Sequence, residues 1–68
     1  MKPIIKDLSI EDKTIIDIGC GDGFYAIQCA MMGSKYVLGS DIDLLRIKRA
    51  NLAKNIYKLD NIEFKTVN

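Results

Sequence analysis

Thr14-Ile15-Ile16-Asp17-Ile18 is β-branched at four of its five positions and runs straight into glycines at alternate positions, Gly19, Gly21 and Gly23. A β-branched run of this length suits a strand. Ile15 and Ile16 then point to opposite faces, so the strand wants apolar cover on both. That is the mark of an interior strand in a parallel sheet. Gly19-Cys20-Gly21-Asp22-Gly23 has to be a loop. From Phe24 to Met32 the pattern turns helical: Phe24, Ile27 and Met31 share a face, with Ala26 and Ala30 beside it. Gly33 stands where helices stop.

The same alternation continues. Tyr36-Val37-Leu38-Gly39-Ser40 reads as a second strand, and Asp41-Ile42-Asp43 as a turn with Asp43 as N-cap. Leu44 to about Lys58 reads as a second helix. Leu45, Ala50, Leu52, Ala53, Ile56 and Tyr57 fall in its apolar arc, and Lys48, Asn51, Lys54, Asn55 and Lys58 fall opposite, beside Leu44 and Ile47. Arg46 and Arg49 interrupt the apolar arc. After a turn at Asp60-Asn61, Ile62 to Val67 starts with the alternation of an edge strand. Ahead of all this, residues 1–13 form a polar leader with room for a short helix from about Ile4 to Ile10, then a turn at Glu11-Asp12-Lys13.

The expected division is therefore a leader over 1–13 and a partial domain over 14–68. The fold class is α/β: a Rossmann-like β-α-β-α-β half of a doubly wound parallel sheet, with strand order 3-2-1. Right-handed crossovers put both helices on one face of that sheet. The first strand ends up on an edge with its other face bare.

With 68 residues, the chain holds one small domain at most. A domain of this size buries only about 60% of its unfolded surface and usually needs staples. Cys20 and Cys29 make no disulfide framework, and without histidine they make no zinc site. The chain thus reads as an N-terminal half that self-associates or needs its missing half. A net charge of +1 gives no general field for nucleic acid or an anionic membrane, and 49% apolar residues argue against disorder. No apolar run approaches the roughly 18 residues of a membrane span. A soluble, cytoplasmic protein is expected.

The chemistry concentrates at the carboxyl ends of the first two strands, where open α/β sheets bind ligands. Glycines there let backbone approach a ligand without a Cβ clash. Asp41, at the end of the second strand, can accept hydrogen bonds from both ribose hydroxyls of a nucleoside. Dinucleotides and S-adenosylmethionine share this layout. The dinucleotide fingerprint is G-x-G-x-x-G, and Phe24 stands where its third glycine belongs. Asp17 and Asp22 would also repel a pyrophosphate, whereas they suit a ligand with ammonium and sulfonium groups. Asp17, Asp22, Asp41 and Asp43 are four of the seven aspartates in the chain.

Thr14 to Gly23 resembles the first motif of class I S-adenosylmethionine-dependent methyltransferases. Val37-Leu38-Gly39-Ser40-Asp41-Ile42-Asp43 resembles their second-strand motif. Ala50 and Asp60-Asn61-Ile62-Glu63-Phe64 resemble their second helix and third strand. The resemblance covers roughly residues 13–68. It implies S-adenosylmethionine as cofactor, with Asp17, Gly19, Cys20, Gly21 and Gly23 lining its methionine end, Asp41 holding the ribose and Ile42 packing against adenine. Asn68 falls near a position where the family often carries an acidic adenine contact. The fourth-strand region, where many members meet the methyl acceptor, is absent. The acceptor (RNA, protein or small molecule) and the catalytic residues stay open.

Plainer readings compete for some of these residues. Asp43 serves as a helix cap rather than a ligand, and Asp22 divides between capping the first helix and shaping the site. Cys20 is a small loop residue, since no histidine is present to pair with it and two carboxylates oppose its thiolate. Cys29 is a small buried hydrophobe. Arg46, Lys48, Arg49, Lys54 and Lys58 form a solvated face in preference to a track for RNA phosphates. The rival functions are a fragment of a dinucleotide-binding oxidoreductase and a non-catalytic α/β interaction module.

Overall fold

The computed structural model describes residues 10–67. The expected leader helix lies outside the described residues except for Ile10, as does Asn68. Five elements follow in order: β1 (Thr14–Ile18), α1 (Phe24–Met31), β2 (Tyr36–Asp41), α2 (Leu44–Ile56) and β3 (Ile62–Thr66). The strands form one parallel sheet in the order β1-β2-β3, which is the expected 3-2-1 order. Ile15 stands beside Val37, and Val37 beside Ile62. Asp17 stands beside Gly39, and Gly39 beside Phe64.

Those residues share the sheet face that α1 and α2 cover. The core joins Val37, Ile62 and Phe64 to Ala26, Ile27, Cys29 and Ala30 of α1 and to Ile47 and Ala50 of α2. Ile10 closes it from the chain's beginning, 8% exposed. In β3 the alternation works as expected: Ile62 and Phe64 are buried, and Glu63 and Lys65 face out. The opposite sheet face carries Ile16 and Ile18, which are 65% and 83% exposed.

Two helix faces differ from expectation. In α1 the core side is Ala26, Ile27, Cys29 and Ala30, while Phe24 is exposed. The ring of Phe64 already lies beneath the start of α1, so α1 approaches the sheet through small side chains. In α2 the buried residues are Ile47 and Ala50, and Leu45, Leu52 and Ile56 face outward. Ala50 lies close to Gly23, and a Cβ placed on that glycine would stand 2.9 Å from Ala50 Cβ. The side of α2 against the glycine loop therefore has to be small, and the larger apolar side chains turn away from it.

β2 also runs one residue further than expected. Asp41 is its last residue, standing beside Thr66, and its carbonyl accepts from Val67 N–H at 2.9 Å.

Candidate functional site

The loop between β1 and α1 is welded to the end of β2. Cys20 N–H donates to the Ser40 carbonyl at 2.8 Å, continuing the strand pairing beyond Ile18. Gly19, Gly21 and Gly23 all take positive φ, at 73°, 59° and 84°. At Gly23 glycine is required twice over. It forms the left-handed N-cap of α1, and a Cβ there would stand 2.7 Å from Phe64 Cζ. Gly23 is thus buried by packing. Gly19 is open, with no atom within 4 Å of where its Cβ would be.

Asp41 is the hinge-point of the site. Its Oδ2 accepts from Gly21 N–H at 2.8 Å, and its Oδ1 accepts from Asp43 N–H at 2.9 Å. These bonds, that from Asp43 first and that from Gly21 second, hold its carboxyl below the ordinary carboxylate range, and the Arg46 charge adds to this. Each carboxylate oxygen keeps a further lone pair for a ligand hydroxyl. Ile42, the next residue, is 73% exposed beside it. Asp43 caps α2, accepting at Oδ1 from Leu45 N–H (2.9 Å) and Arg46 N–H (3.3 Å).

Asp17 is half-buried on the helix-covered face, and burial raises its pKa. Burial likewise pushes the Cys20 thiol up, with the Asp17 and Asp41 charges adding to the effect. A thiol held protonated is no nucleophile. Asp17, Cys20, Gly21, Asp41 and Ile42 are therefore neighbours around one strand-end. Gly23 stands deeper, under the loop.

Two residues bear on the site through contacts that their helix positions alone do not reveal. Arg49 of α2 reaches Asp22 in the loop at 3.8 Å, and Arg46 pairs with Asp43 at 3.5 Å. A Cβ on Gly21 would stand 3.4 Å from Arg46 Nη1. Arg46 and Arg49 interrupt the apolar arc because they serve the loop. The signal was their spacing of one turn opposite an acidic loop. Both pairs are largely exposed and add little stability.

The two carboxyls titrate with opposite consequences. Asp41, lowered on folding, stabilises the fold above its ordinary pKa, and this contribution is lost as the pH falls through the lowered value. Asp17, raised on folding, favours the fold below its ordinary pKa, and that contribution is lost as the pH rises through the raised value. Urea unfolding across the acid range is expected to show both limbs. Asp41→Asn should flatten the more acidic limb and Asp17→Asn the less acidic one, and the reverse assignment would refute this account.

A family model described as ribosomal protein L11 methyltransferase (PrmA) matches residues 3–67. The chain belongs to this family. A ribosomal protein L11 methyltransferase of Clostridium botulinum (strain Eklund 17B / Type B) is 42% identical over 52 residues, covering 76% of this chain and 17% of the relative. The protein of that name from Colwellia psychrerythraea is 40% identical over 50 residues, covering 71% of this chain and 17% of its own. The chain thus spans less than a fifth of the length of these curated relatives.

Solved structures agree with the family. The ribosomal protein L11 methylase of Lactobacillus delbrueckii superposes with a TM-score of 0.79 at 25% identity, covering 88% of this chain and 31% of that one. The Trypanosoma brucei PRMT1 enzyme–prozyme complex with AdoHcy gives 0.81 at 27% identity, covering 87% and 18%. The superfamily resemblance of the glycine and second-strand motifs and the half-sheet fold are both borne out. Among the described residues, no helix is long and apolar enough to cross a membrane.

Proposed function

We propose that this chain is the cofactor-binding segment of an S-adenosylmethionine-dependent methyltransferase. The observation that carries the reading is the Asp41 carboxylate, fixed by the N–H groups of Gly21 and Asp43 at the mouth of the glycine loop. It is ionised, oriented and still able to accept from a ribose. The named complex with AdoHcy among the structural neighbours supports the same ligand.

The residues present fit the group. Asp41 accepts the ribose hydroxyls, and exposed Ile42 offers an apolar surface to the adenine. Gly19, Cys20 and Gly21 present backbone to the methionine end, Gly23 holds their loop in shape, and Asp17 supplies a carboxylate for an ammonium. S-adenosylmethionine, when bound, supplies an activated methyl group for in-line transfer to a nucleophile. These residues bind and orient, and no general base is needed among them. The relatives' name supports a ribosomal protein as the acceptor of the whole protein, and a cytoplasmic reaction is part of the same proposal.

Calorimetric titration of the full-length protein with S-adenosylhomocysteine and with NAD tests the ligand. Binding of the first alone is expected, and tight NAD binding without a response to the first overturns the reading. Asp41→Ala should weaken S-adenosylhomocysteine binding by about ten- to a hundredfold, as for loss of hydrogen bonds to a charged group. Asp43→Ala should leave affinity in place and cost about 1 kcal/mol of stability as a lost N-cap. Equal affinity losses at both positions would mean that the two carboxylates have been given the wrong roles.

A further inference from the structure

α2 turns an apolar seam outward. Leu45, Leu52 and Ile56 are 57%, 61% and 66% exposed. At the helical repeat they fall in a strip about 40° wide that runs about 16 Å along the axis. Lys48 flanks the strip on one side and Arg49 on the other. From Leu44 to Lys58 the sequence carries five cations and no carboxylate. A strip this narrow has the width of a coiled-coil seam, whereas a face packed on a globular core is wider.

We propose that this face docks an acidic amphipathic helix of a partner protein. The partner's apolar seam lies along Leu45, Leu52 and Ile56, and its flanking carboxylates meet Lys48 and compete with Asp22 for Arg49, an exposed pair at 3.8 Å. Charge complementarity selects the occupant. Flanking charges set the choice of partner across a helical seam, and flanks of one sign exclude a basic helix. A nucleic acid fits less well, because the cations are split by an apolar strip that phosphates cannot use. An anionic bilayer fits less well too, since three apolar side chains offer little area to bury in it.

The test uses a synthetic helical peptide with a leucine seam and glutamate flanks, and its scrambled version. Vesicles of phosphatidylserine and phosphatidylcholine and a poly(U) RNA complete the probes. Fluorescence anisotropy with the full chain should show binding of the seam peptide alone, weakening as salt is added. Leu52→Glu, at an exposed position, should weaken it by about tenfold or more, and Lys48→Glu should weaken it too. Ile18→Glu, on the bare sheet face, should leave it unchanged. Equal binding of the scrambled peptide, indifference to Leu52→Glu, or tighter binding of vesicles or RNA overturns the proposal. In the full-length protein Leu52→Cys should react readily with a maleimide, and protection there would assign the seam to that protein's own interior and overturn the proposal.

Discussion

In sedimentation experiments the 68-residue chain is expected to run as oligomers, and Ile18→Lys is expected to move it toward monomer by about tenfold or more in association constant. The cause is the sheet face that neither helix covers. Ile16 and Ile18 stand on it, 65% and 83% exposed, and Leu38 stands beside Ile16 across the β1–β2 pair. β1 is also an edge of the sheet among the described residues. Its row of free backbone groups invites pairing with another chain, and an apolar patch beside such an edge adds the driving force. β3, at the other edge, has Glu63 and Lys65 on that same face, and charges there discourage stacking. A disperse monomer with β1 amides well protected from hydrogen exchange would show that the chain covers this face itself.

Gly23→Ala is expected to remove about 2–5 kcal/mol, a large share of the stability of the chain. The left-handed conformation costs a residue with a Cβ about 1–2 kcal/mol. The collision with Phe64 and Ala50, at 2.7 and 2.9 Å, adds about 1–3 kcal/mol of overpacking. A chain of this length has only about 3–10 kcal/mol in total. Gly39→Ala meets the same ring at 2.7 Å without the backbone penalty. Phe64→Leu should therefore rescue Gly39→Ala more fully than Gly23→Ala. Urea unfolding in the Ile18→Lys background measures all four, and equal rescue would show that the Gly23 conformation costs nothing.

The strand positions and the glycine loop were legible because each rests on local chemistry. β-branched residues favour the pleat, and alternate glycines break it. The side of α2 that faces the core was not legible. A helical wheel assumes that the richest apolar arc turns inward, but here the inward side has to fit over Gly23 and the Phe64 ring. That space admits Ala50 and Ile47, so Leu45, Leu52 and Ile56 turn out. Phe24 turns outward for the same reason, since Phe64, 40 residues away in sequence, already fills the space beneath α1. Asp41 was legible as a carboxylate at a strand end. Its bond to Gly21 joins residues 20 apart, and no local pattern encodes that.

Asn61 acts at the other end of the strands. Its side-chain amide donates to the carbonyls of Ala30 at 3.0 Å and Ser34 at 2.9 Å, while its own carbonyl accepts from Val37 N–H at 2.9 Å. One residue thus clasps the exit of α1, the entry of β2 and the start of β3. The molecule has a stitched floor and an open rim: at the rim, the Asp41 carboxylate bridges Gly21 of the glycine loop and Asp43 at the entry of α2. Changes at the floor alter how firmly the whole unit holds together, and changes at the rim alter what it grips. A mutational drift that erodes one leaves the other to be tuned by itself.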